Sequence, residues 1–246
     1  MLKLLDKSIA YSADILNILF PPKCLKCETF IHSADTGLCH KCWANINFIT
    51  DPKCYICSHP FEYSSSPYEL CLKCVNHKPL YDKVYTVFKY DEHSKDLMHK
   101  FKYNDRTYMA KYFAKWILRT IPAADLAEVD IIATAPMHKM RLLRRMYNQA
   151  ALIAGRIART SDKEFIPDLL LKVRHTPSQA GLTRNQRVAN LRGSIELNKK
   201  YHGALKGKTI LLIDDVLTTG STINVCTKQL LISKPKSVMI ATVART

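Results

Sequence analysis

At 246 residues, 47% of them hydrophobic and 24% charged, the chain has the make-up of a water-soluble globular protein, with room for one domain of about 150 residues and a smaller second one. No apolar run reaches the roughly 18 residues a membrane-spanning helix needs, so no transmembrane segment is expected. The formal charge of +16 argues against a neutral binding module and predicts an acidic partner such as nucleic acid, polyphosphate or anionic lipid.

The first 20 residues place Leu4, Leu5, Ile9, Ile15, Leu16, Ile18 and Leu19 on one side of a helix. Asp6, Lys7 and Asp14 interrupt the apolar stretch and no small-residue cleavage site follows, so it reads as an amphipathic helix and not as a signal peptide. Such a helix packs on the protein or, alternatively, docks on a membrane surface or partner. Eight of the nine cysteines then fall into four Cys-x-x-Cys pairs, Cys24/Cys27, Cys39/Cys42, Cys54/Cys57 and Cys71/Cys74. Two such pairs bring four sulfurs round one zinc ion and leave no open position, which is the pattern of a structural site. The 11 and 13 residues between pairs suit two consecutive ribbons, with an interleaved pairing as the alternative. Four repeated pairs without an export signal point to zinc in a reducing cytoplasm rather than to disulfides. His32, His40, His59 and His77 read as bystanders, and Cys226 as a buried thiol with no metal role. Zinc-bound thiolates lower the net charge only to roughly +12.

Composition changes at Lys78-Pro79. Val84–Tyr90 reads as a strand, and Asp96–Tyr103 and Tyr108–Ile121 read as helices. Tyr108, Met109, Tyr112, Phe113, Trp116 and Ile117 recur at helical spacing and are expected in the core rather than stacked on bases. Lys102 is a candidate to face a phosphate. Val129–Ala135 reads as a buried strand that runs into Pro136, Met137, His138 and Lys139. Arg141, Arg144 and Arg145 follow at what reads as a helix start, where cations oppose the macrodipole and an anionic ligand such as nucleic acid would relieve them. Tyr147-Asn148-Gln149 leads into a helix reaching about Arg159. After a strand at Leu169–Val173, the polar stretch from Arg174 to about Gln186 reads as a lid whose cations meet phosphates, with a solvated loop as the alternative.

The densest signal is Thr209–Thr222. Five apolar or β-branched residues, Thr209–Ile213, suit a strand buried on both faces of a parallel sheet. Asp214 and Asp215 stand at its carboxyl end, where parallel sheets bind ligands. Thr218, Thr219, Gly220, Ser221 and Thr222 form a small, hydroxyl-rich turn before a helix expected over Ile223–Ile232. Backbone N–H groups in such a turn close round a phosphate, and the helix N-terminus adds to the attraction. The paired carboxylates suit vicinal ribose hydroxyls; the alternative is that they cap the helix. No Gly-Lys-Ser/Thr follows, so this is not a Walker loop.

This stretch resembles the phosphoribosyl-diphosphate (PRPP) loop of type I phosphoribosyltransferases. Arg-Arg-x-x-Asn-Gln at Arg144–Gln149, Arg-x-Thr-x-x-Gln from Arg174, the paired cysteine knuckles and the terminal Thr242–Arg245 extend the resemblance to the ComF family, the competence-associated phosphoribosyltransferase-like proteins of bacteria. One departure stands out: Met146-Tyr147 replaces the family's usual Gly-Phe, which matters if that position needs a positive φ. The resemblance implies an N-terminal helix (1–20), a double zinc-ribbon domain (21–79) and an α/β phosphoribosyltransferase-like domain with a mostly parallel sheet and flanking helices (80–246). It implies that PRPP binds with Mg²⁺. The ribose would lie on Asp214 and Asp215, the 5′-phosphate on Thr218–Thr222 and the pyrophosphate on Pro136–Lys139, with Arg184 or Arg187 closing over it. The expected role is in competence and DNA uptake, either as a transferase of unknown acceptor or as a non-catalytic single-stranded DNA-binding factor that retains the fold. Competence-machinery proteins are expected partners, in the cytoplasm or at the inner face of the membrane.

Overall fold

The computed structural model describes residues 21–31, 35–103, 105–174, 176 and 184–246; the side chains of Arg141, Arg144, Arg145, Arg184, Asn185, Arg187 and Val188 also fall outside the description. The amphipathic helix expected over the first 20 residues, and most of the expected lid, therefore lie outside the described residues. The chain divides into two compact units, one ending at Ile46 and one spanning Asn47–Thr246. That division falls between the two cysteine ribbons.

In the first unit, Cys24 donates its N–H to Thr29, and Glu28 donates to Cys24 across a tight turn in which Glu28 has φ 64°. The second knuckle is the N-terminus of a short helix, α1 (His40–Asn45), with Cys39 as N-cap. The second unit opens with a copy of the same device. Cys54 donates to His59, Ser58 (φ 56°) donates to Cys54, and Cys71 precedes α2 (Leu72–Asn76).

The rest of the second unit is built on five parallel strands: β1 (Lys83–Lys89), β2 (Ile131–Thr134), β3 (Glu164–Ile166), β6 (Thr209–Leu217) and β7 (Ser237–Arg245). Their order across the sheet is β1-β7-β6-β2-β3. All four pairings are parallel, and the central strands are buried along almost their whole length, as strands covered on both faces must be. A separate antiparallel pair joins β4 (Leu170–Lys172) to β5 (Ile195–Leu197).

Helices cover the faces of the sheet. These are α3 (Lys95–Tyr103), α4 (Ala110–Thr120), α5 (Ala123–Glu128), α6 (Lys139–Arg145), α7 (Gln149–Ser161), α8 (Arg184–Leu191) and α9 (Ser221–Leu230). The aromatic repeat of α4 is core: Phe113, Trp116 and Ile117 are buried, and Trp116 meets Phe48, Phe88 and Phe113 edge-on. Tyr108 is the exception, half exposed at the helix start. The second ribbon shares the sheet's core. Cys54, Ile56, Cys57, Cys74 and Tyr81 belong to one buried cluster with Ile210, Leu212, Ile223, Cys226 and Ile240.

The winding sets the position of the site. From β2 the chain moves outward to β3, and from β6 it moves the opposite way to β7. The point of reversal is the gap between β2 and β6, and in open α/β sheets the ligand crevice lies there, beyond the strands' carboxyl ends.

Candidate functional site

β6 is longer than its apolar run. It continues through Asp214 and Asp215 to Leu217, because β7 pairs with it as far as Leu217 opposite Arg245. β2 stops at Thr134, opposite Ile213. From Asp214 onward β6 therefore has a neighbour on one side only, and burial falls from complete to partial over Asp214–Val216. Both carboxylates stand at the mouth of the crevice within a strand, so they do not cap the following helix.

The Asp214 Oδ1 accepts the N–H of Asp215 at 2.8 Å. Burial, followed by the charge of Asp215, pushes the Asp214 carboxyl up to about 7. Asp215 has a counter-ion: Lys102 Nζ lies 2.9 Å from its Oδ2, with both side chains mostly shielded from solvent. Lys102 is placed there from a distance. Tyr147 Oη donates to the carbonyl of Phe101, and Gln149 Nε2 donates to that of Lys102. Asn148 donates through Nδ2 to the Ala135 carbonyl and accepts from the N–H of Ala150 through Oδ1, which caps α7. The Tyr-Asn-Gln triplet thus ties the end of α3 and the end of β2 to the start of α7.

After Leu217 the turn closes on Gly220, whose φ of 78° lies in the left-handed region. A Cβ there would meet Leu217 and Asn224 only at 3.8 Å, so conformation and not space calls for the glycine. Gly220 is also the N-cap of α9 and supplies no side-chain cap; the Ser221 N–H instead points at Thr219 Oγ1, 3.5 Å away. Thr219 Oγ1 and Ser221 Oγ lie 2.8 Å apart, lining the turn with hydroxyls.

On the other side of the crevice, Ala135 still bonds Ile213, donating to its carbonyl at 2.9 Å. Pro136, Met137 and His138 then form a short loop before α6. His138 is the N-cap of α6 and accepts the Met140 N–H on Nδ1 at 3.3 Å. The helix expected after Tyr147-Asn148-Gln149 is α7, and the basic cluster lies on a separate short helix, α6. α6 ends at Arg145, Met146 takes φ 62°, and α7 starts at Gln149. Arg144 and Arg145 therefore fall in the last turn of α6, where the macrodipole favours cations, and not at a helix start. The positive φ is adopted by a methionine, and Met146 is largely exposed. Arg141, Arg144 and Arg145 lie on α6 and Arg184 and Arg187 on α8; what their side chains meet lies outside the described residues. Arg174 is described, and its Nη2 donates to the carbonyls of Asn190 and Arg192 at 3.1 and 2.7 Å, closing the C-terminus of α8.

The eight paired cysteines form two sets, Cys24, Cys27, Cys39, Cys42 and Cys54, Cys57, Cys71, Cys74, each with its sulfurs within 4.8 Å of one another. The pairing is sequential. Cys27–Cys39 and Cys57–Cys71 sulfurs are 3.6 Å apart, close to the ~3.8 Å edge of a tetrahedron drawn at a zinc–sulfur bond of about 2.3 Å. Backbone N–H groups point at two of the sulfurs, Cys42 at Cys39 and Cys71 at Cys54, as suits a negatively charged tetrathiolate. None of the described histidines belongs to either set. Cys226 is fully buried on α9, apart from both sets.

The sequence reading names Arg245 only within the Thr242–Arg245 match and assigns it no role. Arg245 ends β7 almost fully buried, and its guanidinium donates to the carbonyl of Cys57. A cation after eight small or apolar positions was the available signal.

Among known proteins, residues 15–75 match a double zinc ribbon domain and residues 147–246 a phosphoribosyl transferase domain. Competence protein F of Haemophilus influenzae is 28% identical over 85% of this chain and 90% of its own. DNA utilization protein YhgH of Escherichia coli K12 is 25% identical over 92% and 98%. Competence protein ComFC of Bacillus subtilis is 23% identical over 82% and 81%. With its two Cys₄ ribbons, its β1-β7-β6-β2-β3 sheet and the Asp214–Thr222 turn, the chain joins a double zinc ribbon to a type I phosphoribosyltransferase-like domain and is similar along most of its length to these competence and DNA utilization proteins.

Proposed function

We propose that the crevice between β2 and β6 binds a phosphoribosyl group, with PRPP and Mg²⁺ as its ligand, and that the protein serves in the handling of DNA during natural transformation. The observation that carries the first part is the placement of two adjacent carboxylates beside a glycine-turned, hydroxyl-lined helix start at the sheet's reversal point. The 5′-phosphate lies on Thr218–Thr222, where amides and hydroxyls meet it. Asp214 and Asp215 accept hydrogen bonds from the ribose hydroxyls. The loop Pro136–Lys139 and Lys102 face the pyrophosphate end, and Arg184 or Arg187 of α8 closes over it. Magnesium, when bound, neutralises pyrophosphate charge, and the acidic pair with the ligand's own oxygens is the donor set present for it. The chain offers positioning and charge stabilisation, and the transfer chemistry of such a site needs no covalent nucleophile.

The second part rests on the family and on the charge of +16. Two measurements test the reading. PRPP with Mg²⁺ should raise the melting temperature of the protein, and the absence of any shift at millimolar ligand would rule out the phosphoribosyl site. Pyrophosphate release from PRPP, screened against acceptors that include single-stranded DNA, then separates a transferase from a binding factor.

A further inference from the structure

A cavity of about 680 Å³ opens beside the phosphate turn. Leu217, Thr218, Thr219 and Gly220 form one wall of it, and neither Asp214 nor Asp215 reaches it. The opposite wall is the second cysteine ribbon, including Cys57, Cys71 and Cys74. Arg245 closes the bottom and fastens the two walls together: its strand pairs with Leu217, and its guanidinium holds the Cys57 carbonyl. The surface inside is mixed. Phe61, Leu70 and Tyr81 supply aromatic and aliphatic faces, and Lys73 and Lys78 stand exposed on its rim. Asn224, one turn into α9, also lines the cavity.

We propose that this cavity is a nucleoside subsite: it receives the base and sugar joined, through a phosphodiester, to the outer oxygen of the phosphate held by Thr218–Thr222. The inference rests on the phosphoribosyl reading of that turn. If the sugar on one ester oxygen lies over the acids, the other ester oxygen points across the turn into the cavity. The space is ample for a nucleoside, the walls suit stacking, Asn224 adds a polar edge, and the rim lysines suit a further phosphate. A terminal phosphate monoester uses none of these groups. The ligand class is therefore a single strand whose 3′-terminal nucleoside, with its free hydroxyl, lies over the acids while its upstream neighbour enters the cavity.

The test uses the full, metal-loaded chain and two probes of equal charge, thymidylyl-(3′→5′)-thymidine and thymidine 5′-methylphosphate. They differ only in the upstream nucleoside. Isothermal titration should show the dinucleoside binding about tenfold more tightly, the scale of one stacked base. Asn224→Leu, which removes the polar edge, and Leu70→Trp, which fills the cavity, should each bring the dinucleoside down to the level of the methyl ester, in protein whose melting temperature shows it folded. Equal affinities for the two probes, or an advantage untouched by both substitutions, would overturn the subsite. PRPP with Mg²⁺ is titrated alongside. If PRPP binds while the dinucleoside gains nothing, this inference alone fails; if PRPP does not bind, the reading of the turn fails with it.

Discussion

Two carboxylates side by side in a half-closed crevice repel each other, and the burden falls on Asp214. Its raised pKa means that the folded chain holds a proton there that the unfolded chain gives up, so this group costs stability as pH rises from the ordinary carboxylate value near ~4 through about 7, and the cost is complete above that. Asp214→Asn should therefore raise the melting temperature at about pH 8 by a few degrees, with the gain vanishing toward about pH 4. PRPP affinity should fall on the order of tenfold or more, since a charge-assisted bond to a hydroxyl is lost. A variant less stable than the parent at alkaline pH would contradict the electrostatic account. Lys102 carries the complementary prediction. Lys102→Met removes the counter-ion of Asp215. Binding should weaken by about tenfold for PRPP and by less for ribose 5-phosphate, which lacks the pyrophosphate, while Lys102→Arg restores most of the loss. Equal losses for both ligands would limit Lys102 to holding Asp215. At Met146 the left-handed backbone is borne by a side chain that is 81% exposed and so is held by little packing. Met146→Gly should stabilise the protein by about 0.5–1 kcal/mol, the difference between αL strain and glycine's added chain entropy, as read by chemical denaturation.

The elements divide differently from what composition suggests. The change at Lys78-Pro79 marks where the cysteines end and not where the core begins. The second ribbon packs into the sheet's own core, with Ile56 accepting the Val84 N–H at 2.7 Å and Tyr81 buried beside it. Losing the second metal should therefore unfold more than a ribbon. Cys57→Ser should lower metal content from about two ions per chain to about one and depress the main calorimetric transition by about 10 °C or more. Cys27→Ser should cost one ion and leave that transition in place. Similar transitions in both variants would mean that the sheet domain stands without its ribbon. The knuckles themselves were legible because metal ligation is local: two sulfurs three residues apart can reach one ion in any fold. The β6 turn was legible for the same reason, with strand, acids and hydroxyls contiguous. The contact of Arg245 was not, because its partner, the Cys57 carbonyl, lies far along the chain. Lys102 was legible as a cation for a phosphate and Met146 as a position sensitive to a positive φ, but the ion pair with Asp215 and the φ of 62° depend on the fold.

At the scale of the molecule, the excess of 37 basic over 21 acidic residues exceeds what one phosphoribosyl ligand can use. If four or five phosphates of a single strand are neutralised, the plot of log affinity against log salt should have a slope of about −3, at roughly −0.7 per contact. Fluorescence anisotropy of a labelled oligonucleotide across a salt series measures it. A flat response, or no binding at about 50 mM salt, would leave the charge to solubility and remove DNA as a partner. Competition tells whether the strand crosses the crevice, since millimolar PRPP with Mg²⁺ displaces it only if they share the turn.

Cys226 gives the site a clock. Eight of the nine thiols stand in the two metal sets, and the ninth is sealed on the inner side of α9, four residues past the phosphate turn, where burial also keeps it protonated. An alkylating reagent can reach that sulfur only when α9 lifts from the sheet. In the metal-loaded protein, the rate of its labelling counts openings of the helix that begins the phosphate site, and whatever ligand rests on the turn should slow the count in proportion to its occupancy.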